Sequence, residues 1–154
     1  MKLFISISLI SILFLGQCTP AEVPYSEKDI SLISNLFEAN QKMHEGLLLD
    51  PPSLSLVAFK SALDSLGSST HPRLLEWKSR IEGLFPKNPK DLDASFVNLS
   101  QIASVLTEIK KAIPVLENYN QFYCPMVEKY WVAKGKSVQN PYAPEMRDCG
   151  EMLP

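Results

Sequence analysis

Apolar residues recur at helical spacing over most of this chain. Leu32, Leu36, Ala39, Met43 and Leu47 form one stripe, widened by Ile33 and Phe37, and predict a helix over about residues 27–48. Ser26, three residues before Asp29, supplies its N-cap signal. Asp50-Pro51-Pro52-Ser53 breaks the chain and can start a second helix. Its stripe is Leu56, Phe59, Leu63 and Leu66, and Gly67 can close it. Ser68-Ser69-Thr70 reads as loop and cap, and Pro72 suits the first turn of a third helix carrying Leu74, Trp77, Lys78, Ile81, Leu84 and Phe85. Pro86 to Pro89 ends it. Asp91 or Asp93 caps a fourth helix with the stripe Phe96, Leu99, Ala103, Leu106 and Ile113, widened by Ile102 and Ile109, and Pro114 limits its end. Four amphipathic helices on short loops predict an all-α fold, an antiparallel four-helix bundle.

After Pro114 the helical period fades. Tyr119, Phe122, Tyr123, Tyr130, Trp131 and Val132 favour extended structure, punctuated by Pro125, Gly135, Pro141 and Pro144. The expectation is an irregular C-terminal cap with one or two short strands. The domain layout is then a leader over 1–17, Cys18 with a tether over 18–25, the bundle over 26–114 and the cap over 115–154.

Composition narrows the function. The chain has 154 residues, 21% charged and 45% apolar, with a formal charge of −2, so it is one ordinary globular domain. There is no basic stripe, which argues against nucleic acid as a partner. Met1-Lys2 and the apolar run Leu3 to Leu15 have the shape of a secretory leader. Leu15-Gly16-Gln17-Cys18 resembles a bacterial lipoprotein box, with Gln17 where a small residue is usual. The resemblance implies cleavage before Cys18, a lipidated cysteine, and a membrane anchor facing the periplasm or cell exterior. An ordinary signal peptide would export the chain as well. With Cys18 lipidated, Cys124 and Cys149 remain as a natural pair.

No Ser-His-Asp order, Gly-rich phosphate loop or H-E-x-x-H is present, and the chain is read as non-enzymatic. His44, beside Met43, has two readings. The pair can supply soft metal ligands, or it is a core methionine next to a boundary histidine, and the second is preferred. His71 reads as a solvated cap residue.

The segment Tyr123-Cys124-Pro125-Met126, Trp131, Val138-Gln139-Asn140-Pro141-Tyr142, Met146, Cys149-Gly150-Glu151 resembles a bacterial envelope domain family of unknown function. Members of that family are small exported proteins or are fused to periplasmic adaptor subunits of copper and silver efflux pumps. The resemblance implies an envelope protein with a role in metal homeostasis, Cu(I) or Ag(I) as the ion, and an efflux adaptor or metallochaperone as partner. Thiolate and thioether are soft donors. Cys124 and Met126 would share one face of an extended segment, and Met146 and Cys149 are one helical turn apart, so the four sulfurs together would make an S4 pocket. The other reading is a Cys124–Cys149 disulfide closing a loop of about 25 residues, worth about 3 kcal/mol. The methionines would then pack against aromatic rings, making this a disulfide-stapled structural or interaction module with no metal role. Trp131 reads as an anchor of cap to bundle. Asn140-Pro141-Tyr142 reads as a turn with a buried ring.

Overall fold

The computed structural model describes residues 23–154. The leader and Cys18 lie outside the described residues. Four helices form: α1 (Glu27–Leu47), α2 (Val57–Ser65), α3 (Pro72–Gly83) and α4 (Leu92–Ala112). Ser26 and Asp29 close a reciprocal capping box on α1, and Asp91 caps α4. α2 starts later than the proline break suggests. Residues 51–56 instead form a link whose Ser53 N–H bonds the Gly46 carbonyl at 2.9 Å. A Cβ on Gly46 would meet the Ser53 oxygen at 2.7 Å, so only glycine admits this close return. Among the described residues, no helix is long and apolar enough to cross a membrane.

The C-terminal quarter corrects the expected fold class. It is not an irregular cap on an all-α bundle but a three-stranded antiparallel sheet, so the protein is a mixed α and β fold with the expected four helices. β1 (Tyr119–Cys124) and β2 (Lys129–Lys134) form a hairpin, and β3 (Glu151–Met152) returns to the other side of β1, in the order β2-β1-β3. Prolines punctuate the segment without breaking the strands, because Pro125 falls in the hairpin turn and the others in the long return to β3. The helices do not close on one another as a bundle. α4 packs chiefly on β2, and α1 packs on both α2 and β2.

Strand alternation gives the sheet two apolar faces. Tyr119 and Val132 turn into the main core with Ile33, Leu36, Phe37, Leu99 and Leu106. Phe122, Cys124, Trp131 and Ala133 turn the other way and form a second buried cluster with Val138 and Cys149. The segment 137–150, here the strap, covers that second face.

The free edge of β2 meets polar side chains of the helices. Tyr130 N–H donates to Ser100 Oγ, Asn40 Nδ2 donates to the Val132 carbonyl, and Lys134 N–H donates to Gln41 Oε1, each at 2.8 Å. These bonds satisfy the groups an edge strand leaves open and fix its height against α1 and α4. Glu38 adds a bond from Tyr119 Oη and an ion pair to Lys134, both at 2.8 Å. A bidentate Arg80–Glu108 pair ties α3 to α4. That pair is half-exposed and contributes less than about 1 kcal/mol.

Asn40→Ala should lower stability by about 1–3 kcal/mol, because it orphans a buried carbonyl. Lys60→Ala, which removes only an exposed pair with Asp64, should change it by less than about 0.5 kcal/mol. Urea unfolding of both variants makes the comparison, and equal losses would show that the capped edge carries no special weight.

Candidate functional site

The residues singled out by the sequence meet at the strap. β1 ends at Cys124, which is fully buried, and Cys149 closes the strap beside it. The two form a disulfide with a Cα–Cα distance of 5.6 Å. Both thiols are thereby used on each other. Met146 ends a 3-10 turn (Pro144–Met146), and its carbonyl accepts the Cys149 N–H at 3.0 Å, which is the one-turn spacing expected. The expected Cys124–Met126 geometry does not arise. Pro125 begins the hairpin turn, the alternation of the strand stops there, and Met126 stands 72% exposed at the tip. Among the described residues, no three His, Cys, Asp or Glu side chains gather as a metal site.

Trp131 is the centre of the covered face. Its ring stacks on Phe122 at 5.5 Å and meets Tyr142 edge-on at 6.3 Å. On the strap side it touches Gly150. A Cβ there would lie 2.6 Å from Trp131 Cη2 and 3.1 Å from the Tyr123 carbonyl, and the backbone has φ +147°. Glycine is therefore required on both steric and conformational grounds.

Asn140-Pro141-Tyr142 forms the expected turn. Asn140 is fully buried, and its Oδ1 accepts the Tyr142 N–H at 2.9 Å. The Asn140 N–H donates to the Arg147 carbonyl at 2.7 Å. Tyr142 places its ring 5.0 Å from Phe96 and donates its hydroxyl proton to the Tyr130 carbonyl. Burial pushes the Tyr142 hydroxyl pKa well above its ordinary value.

Two residues that sequence reasoning did not assign to the strap hold it to α1. Arg147 donates to the Asn140 carbonyl at 2.8 Å and to the Leu47 carbonyl at 2.9 Å, meeting the open C-terminal end of α1 with positive charge. His44 is buried, and its Nε2 bonds the Gln139 carbonyl at 3.0 Å. Burial holds its pKa below 6.5. His71 has a parallel role at the other end of the molecule. It caps α3 as expected, but it is buried rather than solvated. Its Nδ1 accepts the Arg73 N–H, its Nε2 bonds the Val23 carbonyl at 2.9 Å, and Tyr25 stacks on its ring at 4.4 Å. Both histidines thus clamp an extended segment onto a helix. The sequence signals were the place of His44 beside the apolar stripe of α1 and the cap position of His71, and neither named an acceptor.

Compared with known proteins, the chain matches no family model, no curated protein and no solved structure.

Gly150→Ala should cost about 1–3 kcal/mol through the clash with Trp131 and the strained backbone. A loss below about 0.5 kcal/mol in urea unfolding would show that the strap does not bear on that ring. His44 sets a pH dependence. Its folded pKa lies below the unfolded one, so the unfolded chain binds more protons below about pH 6.5. Its contribution is complete above that pH and is lost as pH falls toward the depressed folded value. His44→Gln keeps an amide donor but cannot ionise. The stability difference between about pH 7.5 and about pH 5.5 should therefore be smaller in the variant. An equal pH slope in both proteins would remove His44 as the cause.

Proposed function

We propose that this chain is a non-enzymatic, exported interaction module of the bacterial cell envelope. It is anchored by lipid on Cys18 and stapled by the Cys124–Cys149 disulfide, and its partner is another envelope protein. The disulfide carries this reading. It covers an apolar sheet face permanently in the oxidising compartments where such bonds persist, and it fits the leader-like N-terminus. The aromatic residues of the sheet serve as core, with Trp131 and Phe122 both buried.

A second reading keeps the soft-metal site. Reduction would free two thiolates flanked by Met126 and Met146, a donor set suited to Cu(I) or Ag(I). Met126, exposed at the hairpin tip and outside both apolar clusters, would have to fold inward to join them. The resemblance of residues 123–151 to domains of copper and silver efflux adaptors supports this reading. In that case the module would hand its ion to an efflux adaptor or metallochaperone.

Exported protein from an oxidising compartment separates the two. Alkylation followed by intact-mass measurement should find Cys124 and Cys149 blocked until reductant is added. Reduction should then lower stability by about 3 kcal/mol, and titration with Cu(I) against a chelator should show no competitive binding by the oxidised form. Free thiols in the isolated protein, together with one tightly held Cu(I) that is lost in Cys124→Ser/Cys149→Ser, would overturn the staple reading and establish the metal site.

A further inference from the structure

His44 and Trp131, each with one buried polar atom that has no protein partner, line the same small cavity. The His44 Nε2 lies 3.0 Å from the Gln139 carbonyl oxygen. A carbonyl only accepts, so Nε2 carries the proton and Nδ1 keeps a lone pair while the ring is neutral. Burial favours that neutral form. Nδ1 has no protein partner, and the residue is 5% exposed. Trp131 is 2% exposed, and its Nε1–H, a donor only, has no protein partner either. Both residues line a cavity between α1, α4 and β2, together with Asn40, Met43, Ala103 and Tyr142, with room of about 10 Å³ for the centre of a water molecule. That room is about what one water needs.

The two open atoms have opposite character, and this selects the guest. A soft cation would suit Met43 and the His44 lone pair, but it would leave the indole N–H unpaired and facing positive charge. An anion would suit the indole and repel the lone pair. A water both accepts and donates. We propose that this cavity is a binding site for a single water molecule, which accepts from Trp131 Nε1–H and donates to His44 Nδ1. The water joins α1 to β2 beside the point where Gln139 joins α1 to the strap. Helix, sheet and strap are then bonded through one imidazole, whose tautomer is fixed from both sides. The bridge also removes two buried desolvation penalties at once.

Water-selective magnetisation transfer by NMR on the full isotopically labelled protein tests this. The Trp131 indole proton, assigned with Trp131→Phe, should show a direct cross-peak to a long-lived water. In His44→Phe, which removes the acceptor, that cross-peak should disappear while the fold is retained. The nitrogen spectrum of His44 gives a second readout in the unaltered protein, independent of whether the variant folds. Nδ1 should carry no proton and should resonate as a hydrogen-bond acceptor. Absence of the cross-peak, a proton on Nδ1, or an Nδ1 shift of a free lone pair would each overturn the proposal.

Discussion

Phe122 and Trp131 lie on the sheet face opposite the main core, and burying them requires a second layer. A sheet of three strands has apolar side chains on both faces here, and the helices form the main core against only one. Large aromatic rings gain most by full burial, so the chain after β2 has to lie across them. The strap contains almost no regular structure and cannot hold itself there. It is held by the disulfide, by Arg147 on the end of α1, by His44 on Gln139, and by Gly150 set directly on the Trp131 ring. Each restraint alone is modest. Together they act on one segment of about fifteen residues whose ordering entropy they must offset.

The helical side is joined to the sheet by a different device. Stripes of apolar residues bring α1 and α4 to the sheet without setting a register along it. The polar contacts from Asn40, Gln41 and Ser100 to the outer edge of β2 do set one, because each matches a particular backbone group. They also close an edge that would otherwise pair with another chain. This explains why α1 and α4 carry polar residues beside their apolar stripes. It also explains why the four helices do not form a bundle, since two of them have the sheet as their partner.

Helix ends were legible in the sequence because they are set locally. Ser26 with Asp29, Pro72 and Asp91 act within one turn of the backbone they cap. The late start of α2 was not legible, because residues 51–56 are held by Gly46, outside their own segment. The sheet was only half legible. Aromatic and β-branched residues pointed to strands, but the pairing of β3 with β1 and the bond from Asn40 to Val132 join positions far apart in the chain. At the candidate site, the cysteine count gave Cys124 and Cys149 as a natural pair, and the turn at Asn140 followed from its own side chain. The orientation of Met126 could not follow from spacing, because it depends on where the strand stops. Arg147 and His44 act on backbone carbonyls, which carry no sequence signature.

The disulfide and a thiolate metal site use the same two sulfur atoms, so only one can exist at a time. Forming the metal site requires a two-electron reduction of Cys124–Cys149, whose sulfurs are joined in the structure. The stapled form is therefore the resting one. Reduction would not release the strap outright. Arg147, His44 and the Asn140 turn bind it through groups that no thiol touches. Cys124 would stay at the end of β1, deep against Phe122 and Trp131, while Cys149 and Met146 remained joined by their own short turn. Any soft ion would then meet two thiols already placed side by side in the covered apolar cluster. Met126 could take part only by folding inward from the hairpin tip. The cost of that movement, in a turn whose Val127 already packs on the covered cluster, decides whether the reduced protein holds an ion with four sulfurs or with fewer.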